Sequence, residues 1–140
     1  MKPETAEFLR KAREFLPKAR EMLAHWPDEA GRAAYFAGFH AAQAFIFEYR
    51  GSSAKTHSGV QTEFARLVKS DSRIDAELRA FLGRAYNLKS AADYETGPGA
   101  VVTPARAGAA VETAARFVDR ISNLLSASDA KPSGDTDARS

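Results

Sequence analysis

The chain has 140 residues, 44% hydrophobic and 27% charged, which suits one domain built on a single core. It has no cysteine, so disulfides, thiolate zinc sites and cysteine nucleophiles are excluded. Net charge is only +2 and the signs are mixed, with six basic and four acidic side chains in residues 2 to 21, unlike the clustered basic stripe of a dedicated duplex-DNA binder.

The opening MKPETAEFLRKAREF carries no apolar h-region, so no secretory signal is expected and the expected location is the cytoplasm. Residues 4 to 24 predict a first helix, with Leu9, Ala12, Leu16, Ala19 and Leu23 at 3–4 spacing. Pro17 falls inside that pattern and predicts a kink or break, because an interior proline costs about 3 kcal/mol. Trp26-Pro27 ends the helix, and Asp28 is the expected N-cap of the next.

The second helix organises the chain. Between Ala33 and Tyr49 only His40, Gln43 and Glu48 are strongly polar. A surface helix would show one wet face, so this one is predicted to be central. Its run is too broken for a membrane span. Gly51 and Ser52-Ser53 stop it.

A shorter helix is expected over about 57 to 69, capped by Thr56 or by a Ser58–Gln61 capping box. Asp75 is expected to cap a fourth helix to residue 94, with Leu78, Phe81, Ala85, Leu88 and Ala92 as its core stripe. ETGPGAVV reads as a flexible connection. Thr103-Pro104 starts the fifth helix, which runs to about Leu125. The expected domain spans residues 1 to 126. Residues 127 to 140 lack large apolar side chains and predict a disordered tail. The fold class is all-α, a five-helix up-and-down bundle.

Two groups of polar residues stand out. Arg32, Tyr35, Phe39, His40 and Gln43 fall within about 140° of one another on a helical wheel. In KTHSGV, Lys55, Thr56, His57 and Ser58 bring cations and hydroxyls to a helix N-terminus, where free amides favour a phosphate. For both groups the plainer reading is structural: capping, and polar groups that satisfy each other. Tyr86, Lys89 and Asp93 share one stripe of the fourth helix, and an Arg32–Asp93 or Lys89–Asp93 ion pair competes there with a functional role. His25, His40 and His57 lie on or beside different elements without metal-ligand spacing, so no metal or cofactor is expected.

RAAYFAGFHAAQAF, KTHSGVQTEF and AYNLKSAADY follow one another in this chain. From about Ala6 to Leu125 it resembles the HEPN-domain superfamily, in particular the small stand-alone bacterial branch with an R-x-x-Y-[YF]-A-x-F-H-A-A helix and the KTHSGV turn. The resemblance implies a homodimer with its groove at the seam. It also implies an RNA-directed or nucleotide-binding role, toxin-like, beside a minimal nucleotidyltransferase partner.

HEPN ribonucleases carry R-x(4–6)-H on a late helix. At the matching place here Lys89 stands for the arginine, Asp93 falls near the histidine position and Tyr94 follows, a contact or modification site in such pairs. Lysine lacks the bidentate fork, and aspartate would repel a phosphate. The literal strings Arg20 to His25 and Arg50 to His57 fall on the wrong element or across a loop, and read as chance. Three functions are therefore carried forward: an RNA- or nucleotide-binding protein with a partner, an endoribonuclease using Arg32, His40 or His57, and a non-catalytic docking module.

Overall fold

The structure is a computed structural model that describes residues 1–94 and 102–127, with the backbone alone at Tyr94. Its elements are α1 (Pro3–Met22), α2 (Pro27–Arg50), α3 (His57–Val68), α4 (Ala76–Tyr94) and α5 (Pro104–Ser126). No strand occurs among the described residues. Of the expected connection at 95–102 only Val102 is described, and it is buried; of the expected tail at 127–140 only Ala127 is described, and the rest of both lies outside.

α2 is surrounded, as its composition requires. The other four helices all pack on it, and α1, α5, α4 and α3 follow one another around it. Close approach depends on its small residues: Ala30, Ala34, Ala37, Ala41, Ala42 and Ala44 have no exposed surface. Gly38 is the tightest point, where an added Cβ would lie 2.3 Å from Phe81 Cε2 on α4. Tyr35, Phe45 and Ile46 fill the gaps, with Phe64 of α3 and Phe117 of α5 packed beyond them.

The ends follow local rules, with two corrections. α1 runs unbroken through Pro17, which is exposed, so the expected break is absent. Packing of Leu9, Ala12 and Ala19 holds the turns on both sides. Asp28 does not cap α2. Pro27 takes the first helical position after Trp26, and Asp28 Oδ1 accepts instead from the neighbouring Glu29 N–H at 3.0 Å. Between the two caps offered for α3, Thr56 is used and Ser58 is not. Asp75 and Thr103 cap as expected, accepting from Leu78 N and Arg106 N. Gly51 closes α2 at φ +76°, a left-handed position that favours glycine.

Candidate functional site

The loop between α2 and α3 is held at one residue, Ala54. Gln43 Nε2 donates to the Ala54 carbonyl at 3.2 Å, and the Ala54 N–H donates to Glu63 Oε1 at 3.1 Å. Thr56 Oγ1 then accepts from Gly59 N at 3.0 Å. A Cβ at Gly59 would stand 2.7 Å from that oxygen and 2.8 Å from Ala54 Cβ, so the turn requires glycine. These bonds place His57 at the start of α3, against α2 and α4.

There the Tyr35 hydroxyl and His57 Nδ1 share a hydrogen bond of 2.8 Å. The imidazole sits among rings, with centroids 5.5 Å from Tyr35, 5.3 Å from Phe39, 5.2 Å from Tyr86 and 6.3 Å from Phe36. Its other nitrogen, Nε2, has no hydrogen-bond partner among the described residues. His57, Ser58, Gln61 and Tyr86 line an open hollow of about 340 Å³. Burial pushes Tyr35 up to about 12, despite a hydrogen bond to Gln61, so it keeps its proton. Burial, and then the charge of Lys89, lower His57, which is neutral at neutral pH.

One turn further along α4 the chemistry changes. Asp93 is bonded by Arg32 Nε and by Lys89 Nζ, the latter at 2.6 Å. Arg32 also holds Glu29 at 2.5 Å. The hydrogen bond from Lys89 lowers Asp93 most; burial opposes it and Arg32 adds to it. Two cations meet two anions, so this end of the site is neutral. Phe36 joins the two ends: Lys89 Nζ lies 5.8 Å from its ring centroid, and Tyr35 5.3 Å.

The expected residues fall into three groups. Arg32, Lys89 and Asp93 come together, and the ion-pair alternative is realised in both its forms. His57, Ser58 and Tyr86 come together at the hollow. His40 reaches the same rings, Phe36 and Phe39, but its Nδ1 bonds Gln43 at 2.9 Å and its ring stacks on Phe15 at 5.7 Å. Burial lowers it, partly offset by Gln43. Lys55 is exposed, and the Thr56 hydroxyl is occupied as a cap. Tyr94 ends α4, and its side chain lies outside the described residues. The sequence reading missed the Tyr35–His57 bond, the place of Gln61 on the hollow and Glu29 as a second partner of Arg32. Only the last had a local signal, its i,i+3 spacing.

Among the described residues no group of histidine, aspartate and glutamate could hold a metal ion. No described helix is long and apolar enough to cross a membrane. Residues 5–124 match the family model of the HEPN domain. The chain belongs to the HEPN domain family. Comparison with curated proteins gives no match. Within this HEPN domain, Asp93 of α4 is bonded by both Lys89 and Arg32. The neutral imidazole of His57 is separate from that network, and it lines the open space.

Proposed function

We propose that this HEPN protein binds RNA or a nucleotide in the hollow beside His57 and does so without cleaving it. The carrying observation is the pairing of an open, ring-lined hollow with a closed charge network. Tyr86 and His57 offer faces on which a base would stack, which is worth about 1–3 kcal/mol per base. Ser58, Gln61 and His57 Nε2 offer polar atoms to its edge, with Lys55 nearby on the same turn. Arg32 and Lys89 are neutralised by Asp93 and Glu29, so neither is preset to stabilise charge on a scissile phosphate.

Family resemblance, not geometry, supplies the wider setting. It points to the stand-alone branch with the KTHSGV turn, to a homodimer, and to a toxin-like component beside a minimal nucleotidyltransferase, with Tyr94 as the residue modified or contacted; the location proposed with it is the cytoplasm. Co-purification with a nucleotidyltransferase encoded next to it tests that setting.

One observation favours a second reading, a metal-independent endoribonuclease. His57 is neutral and its Nε2 is unoccupied. In the tautomer whose Nδ1–H donates to the Tyr35 oxygen, Nε2 carries the lone pair that a general base needs.

The deciding experiment measures binding of a labelled oligoribonucleotide and of ATP, together with cleavage of a mixed RNA pool in EDTA. The expected result is binding without cleavage, weakened about tenfold or more by Tyr86→Ala. Failure to bind either probe sinks the proposal. Cleavage abolished in a folded His57→Ala variant replaces it with the ribonuclease reading.

A further inference from the structure

On the far side of α2 from the His57 hollow lies the seam between α1 and α5. Two hollows meet there, of about 410 and 360 Å³. They share Arg116 and Asp119, so together they cross α5 from α1 to the turn before α4. Five arginines line the pair (Arg13, Arg20, Arg73, Arg116 and Arg120), against two aspartates, Asp75 and Asp119.

Internal pairing uses only part of that charge. Arg73 is bound to buried Asp71. Arg116 holds Asp75 at 3.1 Å and Glu77 at 2.6 Å. Arg13 donates to Ser122 Oγ, a neutral partner. The guanidinium groups of Arg20 and Arg120 have no hydrogen-bond or ion-pair partner among the described residues, and Asp119 is the one lining carboxylate left opposing them.

The seam is distinct from the candidate site. On α1, Arg13 and Arg20 lie about 140–160° around the helix from Phe15, the residue that reaches Phe36 and His40. The two regions share no lining residue. Arg13 and Arg20 are seven residues apart, about 10 Å along the axis, so the cations form a track and not a point.

We propose that this seam is a second contact surface for RNA, one that grips the phosphate backbone through Arg13, Arg20 and Arg120. The arginine fork matches phosphate oxygens. The strip contains no Trp, Tyr or Phe, so it offers no aromatic ring on which a base could stack. Binding along it is therefore independent of sequence and strongly salt-dependent. The inference rests on the reading that the protein binds RNA, and it adds where the chain outside the His57 hollow is held.

The test is anisotropy of a labelled mixed-sequence oligoribonucleotide over a salt series, with full-length protein. It compares wild type, Arg20→Gln/Arg120→Gln, Arg20→Glu/Arg120→Glu and His57→Ala, with circular dichroism as the check on folding. The glutamate pair is expected to weaken binding at least tenfold. The glutamine pair should lower the salt slope by about 1.4, at about 0.7 per single-strand phosphate contact. Folded glutamine and glutamate pairs with wild-type affinity and slope overturn the inference, as does a change in sedimentation without a change in RNA affinity. If His57→Ala alone abolishes binding, the seam proposal falls and the hollow stands. If only the seam variants abolish it, the reverse holds. No RNA binding by wild type sinks both.

Discussion

The two ends of the stripe on α2 are about one helical turn apart, yet they solve burial differently. At Arg32 the chain brings charges in and cancels them: Asp93 takes two cations, Arg32 takes two anions, and the Lys89 and Asp93 side chains keep only 14% and 16% exposure. At Tyr35 it brings in rings and a single neutral base, and leaves one nitrogen and a hollow unfilled. The difference teaches where chemistry is available. A saturated ion network is already at its electrostatic minimum, and any ligand must first displace a partner. A neutral imidazole beside open space meets a ligand at no such cost. The position that family resemblance marks for catalysis is thus the closed one, and the turn that opens α3 is the accessible one.

The largest expected effect breaks both ends together. α4 supplies Tyr86, Lys89 and Asp93 and is seated on Gly38. Gly38→Ala forces the new Cβ onto Phe81, where overpacking costs about 3 kcal/mol. A denaturant midpoint lowered in proportion, with loss of ligand binding, is expected; an unchanged midpoint would show that α4 shifts freely.

Next comes the charged end alone. Asp93→Ala leaves Arg32 and Lys89 facing each other. The cost is about 2 kcal/mol, less than for a fully buried pair because all three side chains keep some exposure. If binding at the His57 hollow survives this change in a protein that remains folded, the two ends are functionally separate, as the comparison holds.

The ring end is softer. Tyr35→Phe removes the part-buried hydrogen bond to His57 and the one to Gln61, together about 1–2 kcal/mol, and frees His57 Nδ1. Thermal melting reads the cost, and a proton NMR titration of His57 that moves with the substitution confirms the partner.

The smallest effect is in pH, and it sets the ends against each other in order. His57 and His40 both titrate below their ordinary 6.5 in the fold. The unfolded chain therefore takes up protons first as pH falls. Their contribution is fully present above about pH 6.5 and is lost as pH falls toward the lowered values. Asp93 also titrates below its ordinary 3.8, so its contribution is present above that value and is lost only at lower pH. Melting scans should show a shallow loss beginning below about pH 6.5, flattened in His40→Gln, and a second loss only below about pH 4. A single loss confined to the lower range would mean that neither histidine is held neutral by the fold.

Much of this was legible residue by residue. Interactions within a helix or across one turn appear in spacing: the Thr103 and Asp75 caps, the Gly51 stop, the Lys89–Asp93 pair at i,i+4, and the all-round apolar character that makes α2 central. Family membership was legible too, from the order of three segments. Spacing misled where packing outweighed a local cost, as at Pro17, and where two local signals competed, as at Trp26-Pro27-Asp28.

The tertiary structure alone decided which polar groups are occupied and which are free. Tyr35 and His57 are 22 residues apart, and Arg32 and Asp93 are 61. No periodicity links such positions. Their meeting depends on how closely α3 and α4 approach α2, which the small side chains permit and Gly38 sets. The sequence by itself determined an all-α HEPN domain and supplied the candidates. Only the packing of three helices left Lys89 and Asp93 neutralised and His57 Nε2 without a partner among the described residues, because hydrogen bonds and ion pairs are settled by distance in the fold and not by order in the chain.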